Sequence, residues 1–402
     1  MELDNIFNAF SENKVFEDKF VLQNNYSPDI IPHRDKQIEQ IASILAPALR
    51  GDKTSNLFVY GQTGSGKTLS VQFVRDELLR RARNGSTGGK KLRIEYLNCK
   101  LKKVADTEYR ILAELIKKLG GEVPSTGLPT DQVYNRFIEL VEKEDQIIIL
   151  ILDEIDQAVK KISDNFLYNL TRLNTELSKT QIGLVGISND LNFLESLDPR
   201  VRSSLSEEEL IFPPYNALQL QEILNKRGER AFKKGVLEEG VVSKCAAYAA
   251  REHGDARRAL DLLRISGELA EREGKSKVGL QHVDMANEKM DRDKILDTIS
   301  AAPKQLQLVI YSIISLTEAK KIDRIFTGDI YNLYQQLCQK TKTEVLTQRR
   351  VGDLIAESDM LGLINAQVIS KGRHGRTREI VLSIPKTVLD KSKIVLKESL
   401  NL

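Results

Sequence analysis

The sequence predicts a multidomain α/β protein: a parallel-sheet domain first, an all-α domain second, and a winged helix-turn-helix at the C-terminus. Three observations carry this. Strand-like apolar runs alternate with helical patterns between residues 34 and 187, the order that builds a parallel sheet flanked by helices. After Phe212-Pro213-Pro214 the strand-like runs stop and four helical patterns follow. From residue 303 the order becomes helix, helix, helix, strand, turn, strand. The 402 residues suit two or three units of roughly 100–200 residues each. The expected divisions are 1–215, 216–295 and 296–402.

Taken in order, residues 1–30 are mixed polar and aromatic, with Pro28 and Pro32 near their end, and read as an arm docking on the next domain. Residues 34–50 carry Ile38, Ile41, Leu45 and Leu49 at helical spacing, with Pro47 kinking the last turn. Asn56-Leu57-Phe58-Val59-Tyr60 is a buried strand ending at Gly61, and 67–84 is a helix with positive residues outward. Gly85-Ser86-Thr87-Gly88-Gly89 reads as a flexible turn. Residues 92–98 alternate as a strand; 106–119 and 131–143 are helices separated by a Pro/Gly loop. Six consecutive Ile and Leu residues at 147–152 make the central parallel strand. A helix over 164–178 and a buried strand over 182–187 complete the first unit. Helices over 217–233, 238–252, 255–273 and 279–293 form the second. The third has helices over 303–317, 327–339 and 347–359, then strands over 363–370 and 377–384 around a basic turn.

Composition excludes several classes. Three cysteines (Cys99, Cys245, Cys338) and four scattered histidines exclude a disulfide scaffold or a Cys/His metal centre. No run reaches 18 apolar residues, and Met1-Glu2-Leu3-Asp4 does not open a signal peptide, so a cytoplasmic location is expected. Sixty Lys and Arg face 57 Asp and Glu, a net +3 that by itself says nothing of partners. The charge is unevenly placed: residues 341–402 hold eleven basic and seven acidic residues, a net +4, which leaves −1 for the remainder.

Gly61-Gln62-Thr63-Gly64-Ser65-Gly66-Lys67-Thr68 matches the phosphate-loop pattern in full, between a buried strand and a helix. Its glycines let backbone N–H groups wrap phosphates at a helix N-terminus. Lys67 would span the β- and γ-phosphates and Thr68 would offer its hydroxyl to Mg²⁺. Asp153-Glu154 ends the most apolar strand. Asp153 would hold Mg²⁺ and Glu154 would polarise the attacking water, while Asp156 reads as structural. Asn189, at the tip of the 182–187 strand, can reach the γ-phosphate or the lytic water. Leu69, Tyr215 and Arg227 complete the nucleotide-binding set, with ATP or ADP and Mg²⁺ as ligands.

The phosphate loop, Asp153-Glu154 and Asn189 resemble an AAA+ ATPase. Leu197-Asp198-Pro199-Arg200-Val201-Arg202-Ser203-Ser204-Leu205, Phe212-Pro213-Pro214-Tyr215 and Gly254-Asp255-Ala256-Arg257-Arg258-Ala259-Leu260 narrow this to a resemblance to the archaeal Orc1/Cdc6 replication-initiator family. The segment Ser27-Pro28-Asp29-Ile30-Ile31-Pro32-His33-Arg34 fits it too, and the likeness runs from about residue 20 to 385. The resemblance implies that the all-α domain is a lid whose Arg257 reaches the phosphates. It implies that Arg200, or alternatively Arg202, is a finger presented to a neighbouring subunit's nucleotide. It places Ile31, Pro32 and His33 near the adenine, and segment 99–130, with Lys102 and Lys103, against DNA.

The third unit carries the DNA expectation on its own residues. Thr347, Gln348, Arg349 and Arg350 open a helix suited to phosphate and base-edge contacts, with Thr347 as its cap. Val351, Leu354 and Ile355 would face inward. Lys371-Gly372-Arg373-His374-Gly375-Arg376-Thr377-Arg378 forms the basic turn, with Arg373, His374, Gly375 and Arg376 at its tip reaching backbone or minor groove. The resemblance implies slow ATP hydrolysis as a switch, recognition of double-stranded origin DNA, paralogous initiators at the same origin and recruitment of the replicative helicase. The alternative is a DNA-binding replication or transcription regulator in which ATP or ADP is mainly a structural ligand. A clamp-loader-type remodelling ATPase has no use for a basic winged helix.

Overall fold

The structure is a computed structural model that describes residues 15–84, 89–100, 107–124, 127–205, 207–320, 324–370 and 376–402. The chain divides into two compact units, Met1–Val283 and Asp284–Leu402.

The first unit is built on a five-stranded sheet of β1 (Asn56–Gly61), β2 (Lys91–Asn98), β3 (Gln146–Asp153), β4 (Thr180–Ser188) and β5 (Glu207–Phe212). The spatial order is β2-β3-β4-β1-β5 and every pairing is parallel. β3 is buried along its whole length, as its six-residue apolar run requires. Its alternate residues serve opposite faces. Ile148, Leu150 and Leu152 join a core with Phe58, Phe137 and Phe166, and Ile147, Ile149 and Ile151 join a second with Ile41, Val71 and Phe212. The register aligns Asp153 with Asn98 on one side and Ile187 on the other, and Tyr60 with Ser188. The carboxyl ends of β1, β3 and β4 therefore finish level, the position where open parallel sheets bind ligands.

Helices α1 (Asp35–Leu45), α2 (Lys67–Asn84), α3 (Glu108–Lys118), α4 (Thr130–Val141), α5 (Ile155–Ile162), α6 (Asn165–Glu176) and α7 (Pro199–Leu205) accompany the sheet. Pro47 stands near the start of a 3₁₀ turn over Ala46–Arg50 that ends α1. α5, α7 and β5 are absent from the sequence reading. β5 is an edge strand that begins with three glutamates, so no apolar run marks it.

The rest of this unit is helical: α8 (Ala217–Ala231), α9 (Val241–Arg251), α10 (Ala256–Arg272) and the start of α11 (Leu280–Ala301), which runs on unbroken past residue 295. Among the described residues, the N-terminal segment from Val15 to Val21 packs on these helices. Glu17 N–H donates to Ala231 O at 2.8 Å, and Phe16 packs against Phe232 with the rings tilted and their centroids 4.7 Å apart. Gly267 of α10 makes room for that ring, since a Cβ there would lie 2.4 Å from Phe16.

The second unit holds α12 (Lys304–Lys320), β6 (Ile325–Phe326), α13 (Thr327–Lys340), α14 (Gln348–Met360), β7 (Ile364–Ser370), β8 (Arg376–Leu382) and α15 (Lys386–Leu400). β6, β8 and β7 form a small antiparallel sheet. Val351, Leu354 and Ile355 turn inward to a core with Ile310, Ile313 and Ile314 of α12. β6 and α15 are additions to the predicted order. Among the described residues no helix is long and apolar enough to cross a membrane.

Candidate functional site

A cleft of about 720 Å³ lies between the carboxyl ends of the strands and the helices of the same unit. That size falls within the range of small-molecule sites. Of the predicted nucleotide set, Thr63, Gly64, Gly66, Lys67, Thr68, Leu69, Ile31, Tyr215, Arg227 and Arg257 line it, together with Asp153, Glu154 and Asn189. Gly61, Gln62 and Ser65 stand behind the lining. His33 is also outside it, with Nε2 2.9 Å from Glu222 Oε2.

Lys67 is 6% exposed. Its ammonium donates to Gly61 O at 2.7 Å, Gln62 O at 2.9 Å and Asn189 Oδ1 at 3.0 Å. The loop and the β4 tip are thus joined through one cation. Burial, opposed by Asp153 and assisted by Arg257, brings the Lys67 pKa down to about 8. Asp153 accepts three hydrogen bonds: Oδ2 from Thr68 Oγ1 at 3.0 Å and from the Tyr96 hydroxyl at 2.7 Å, and Oδ1 from Glu154 N–H at 3.0 Å. Tyr96 is a site residue the sequence reading missed. Burial and the Asp153 charge raise its pKa, so it remains the donor. Glu154 has left-handed backbone angles (φ 55, ψ 43), and its carboxylate lies 3.4 Å from Lys100 Nζ. Asp156 is 2% exposed and accepts from Ser188 Oγ at 3.2 Å, a structural role in the β4 end.

The paired hydroxyl and carboxylate of Thr68 and Asp153 are hard oxygen donors of the kind Mg²⁺ takes beside substrate phosphates. Among the described residues no group of three or more His, Cys, Asp or Glu side chains could cage a metal unaided. The donors present fit a metal completed by phosphate oxygens and water.

The helical side closes directly on the loop. Asp255 caps α10, accepting from the Arg257 and Arg258 N–H groups at 2.8 and 3.3 Å. Ala256 N–H donates to Gly64 O at 3.3 Å. Gly64 has φ 71, and a Cβ there would lie 1.8 Å from Asp255 Oδ1. Position 64 is a free position of the phosphate-loop pattern, and its glycine answers both to this contact and to its left-handed backbone. Arg227 lies 4.3 Å over the Tyr26 ring and donates to Val21 O at 2.9 Å. Arg34, fully buried, is a second missed residue: it donates to Ser65 O and Pro213 O and stacks on Tyr215. Arg200 is outside the cleft, exposed and paired with Asp198 at 3.1 Å, and Arg202 is exposed on the same short helix.

In the second unit Thr347, Gln348, Arg349 and Arg350 are all exposed at the start of α14. Thr347 caps the helix, accepting from Arg350 N–H at 3.4 Å, and Arg350 lies 3.6 Å from Asp353. Arg378 donates to Gly352 O, tying β8 to α14. Arg376 opens β8, opposite Ser370. Lys102, Lys103, Arg373, His374 and Gly375 lie outside the described residues.

A parallel sheet in this order, a phosphate loop, an acidic strand end, a polar tip on the neighbouring strand and a helical cover define an AAA+ type nucleotide-binding protein, with a winged-helix unit appended. Comparison with known proteins agrees. Residues 50–194 match the AAA domain, 221–288 the Cdc6 AAA+ ATPase-type lid domain, and 297–392 the CDC6 C-terminal winged helix domain. The chain is 49% identical over 398 residues to ORC1-type DNA replication protein 1 of Methanosarcina acetivorans, covering 98% of this chain and 94% of that one. It is 50% identical over 389 residues to the ORC1-type DNA replication protein of Pyrococcus furiosus, covering 96% and 91%. The solved structure of the Aeropyrum pernix ORC1 protein in complex with DNA matches with a TM-score of 0.83 at 42% identity, over 96% of this chain and 98% of that one. The chain belongs to the ORC1-type, Orc1/Cdc6, family of DNA replication proteins.

Proposed function

We propose that this protein binds ATP and Mg²⁺ in the cleft, recognises double-stranded replication-origin DNA, and uses slow hydrolysis as a switch in the initiation of replication. The observation that carries the reading is the convergence of Lys67, Thr68, Asp153 and Asn189, paired by two hydrogen bonds, Lys67 to Asn189 and Thr68 to Asp153, at level strand ends. Each group is one that phosphoryl transfer needs, and Glu154 stands beside them to orient water. Arg257, at the first turn of α10, reaches the phosphates from the lid. Ile31 and Tyr215 flank the base, with Arg227 at the lid side. Arg200 or Arg202 acts on a neighbouring copy, in keeping with its exposure outside its own cleft.

DNA is gripped by the start of α14 and by the basic turn after β7, with residues 1–215, 216–295 and 296–402 as nucleotide, lid and DNA units. The A. pernix relative's DNA complex supports this reading. Paralogous initiators and a replicative helicase are the partners that family membership suggests, in a cytoplasmic, nucleoid-associated setting. Single-turnover ATPase with and without duplex DNA tests the enzyme: Lys67→Ala is expected to abolish turnover, and retained turnover would overturn the site. Footprinting across genomic DNA tests recognition, and uniform protection without a preferred site would remove the origin claim.

A further inference from the structure

Arg34 is 2% exposed, and no carboxylate of the described residues faces it. Its guanidinium donates to three backbone carbonyls, Nε to Ser65 at 2.8 Å, Nη2 to Pro213 at 2.6 Å and Nη1 to His33 at 3.2 Å, and its one polar side-chain partner among the described residues is the uncharged Tyr215 phenol. The Tyr215 ring centroid is 3.8 Å and the Phe212 centroid 5.5 Å from the guanidinium carbon. A buried cation without a counter-ion is an expensive feature for a fold to keep. The peptide bond suggests why it is kept. The Ser65 carbonyl and the Gly66 N–H belong to one trans peptide and point in opposite directions. With the carbonyl held by Arg34, the N–H is aimed to the other side. Gly66 lines the cleft there, and its N–H takes no backbone acceptor among the described residues.

We propose that Arg34 is a positioning residue for the nucleotide phosphates: it aims the Gly66 N–H into the cleft, and its unbalanced charge is answered by the phosphates that enter. Arg34 does not touch the nucleotide. It acts through the Ser65–Gly66 peptide, so the loop is set for an anion before one arrives. The cation remains in the ligand-free fold because the Phe212 and Tyr215 rings and three carbonyls hold it. This proposal rests on the reading of the cleft as a nucleotide site.

The test is calorimetric titration of the full-length wild type, Arg34→Met and Lys67→Ala with ADP and, separately, with adenosine, which has no phosphate. Thermal unfolding of each ligand-free protein runs alongside. In Arg34→Met the ratio of ADP affinity to adenosine affinity is expected to fall at least fivefold. Its ligand-free melting temperature is expected to hold or rise, since an apolar residue replaces an unpaired buried cation. A smaller fall in the ratio overturns the proposal, including the case in which both affinities drop together or only the melting temperature drops. Should Arg34→Met not fold, Arg34→Lys keeps a cation but cannot reach Ser65 and Pro213 together. There the ratio must fall at least threefold, and a smaller fall overturns the proposal. If Lys67→Ala binds ADP as well as the wild type, the nucleotide-site reading itself fails. If Lys67→Ala loses ADP while Arg34→Met keeps it, only the role of Arg34 fails.

Discussion

Lys67 shows how burial tunes a single side chain. With its pKa at about 8 in the ligand-free fold, part of the population is uncharged slightly above neutral pH. Arriving phosphates favour the ammonium and draw a proton from solvent. Nucleotide binding at pH 8–9 is therefore expected to take up protons, and calorimetry in buffers of different ionisation enthalpy measures this directly. Lys67→Ala removes the uptake along with most of the affinity. The sign for stability follows from linkage. The unfolded lysine holds its proton up to its ordinary value of 10.5, so between pH 8 and that value the unfolded chain binds more protons. The Lys67 contribution to stability then rises with pH over that window. At the neighbouring carboxylate, Glu154→Gln is expected to keep ADP affinity within a fewfold and to lower single-turnover hydrolysis by about 10²-fold or more, the scale of a lost general base.

At the scale of elements, α10 depends on the residue that caps it. Asp255 satisfies two helix N–H groups and lies against Gly64. Asp255→Ala should destabilise the first unit by about 1 kcal/mol, read by chemical denaturation. Gly64→Ala strains a left-handed backbone and sets a Cβ against Asp255, so it should weaken ADP binding. Elements with a continuous apolar run or a clear helical period were legible in the sequence, β1, β3 and β4 most of all. β5 was not, because Glu207, Glu208 and Glu209 pair at an edge where acidic residues are tolerated. α5 was not, because eight residues carry only two turns of pattern. α15 was hidden by lysines between Val388, Leu396 and Leu400, its buried residues. The same distinction holds at the site. Lys67, Thr68, Asp153 and Glu154 sit in contiguous motifs and can be read in line. Tyr96 and Arg34 work through partners 57 and 31 residues away, and such contacts exist only after folding.

For the whole molecule, the two units have separate cores, one around β3 and one around α12. Calorimetric unfolding is expected to resolve two transitions, with saturating ADP raising only the one that belongs to residues 15–283. A single transition that ADP shifts as a whole would mean the units unfold together. Affinity for duplex DNA should fall with salt, and Arg349→Ala or Arg350→Ala should each reduce the slope of log K against log salt by about 1, equally for specific and random sequences.

The packing of the N-terminal segment on the helical part has a mechanical consequence. Residues 15–26 pack on the lid, the chain crosses to the α/β part through 28–34, and it returns through 213–216. The lid therefore hangs on two pins, one at each crossing, and Arg34 touches both through His33 and Pro213. A cover on one tether can tumble in any direction. A cover held at two crossings has fewer directions of movement open to it than that.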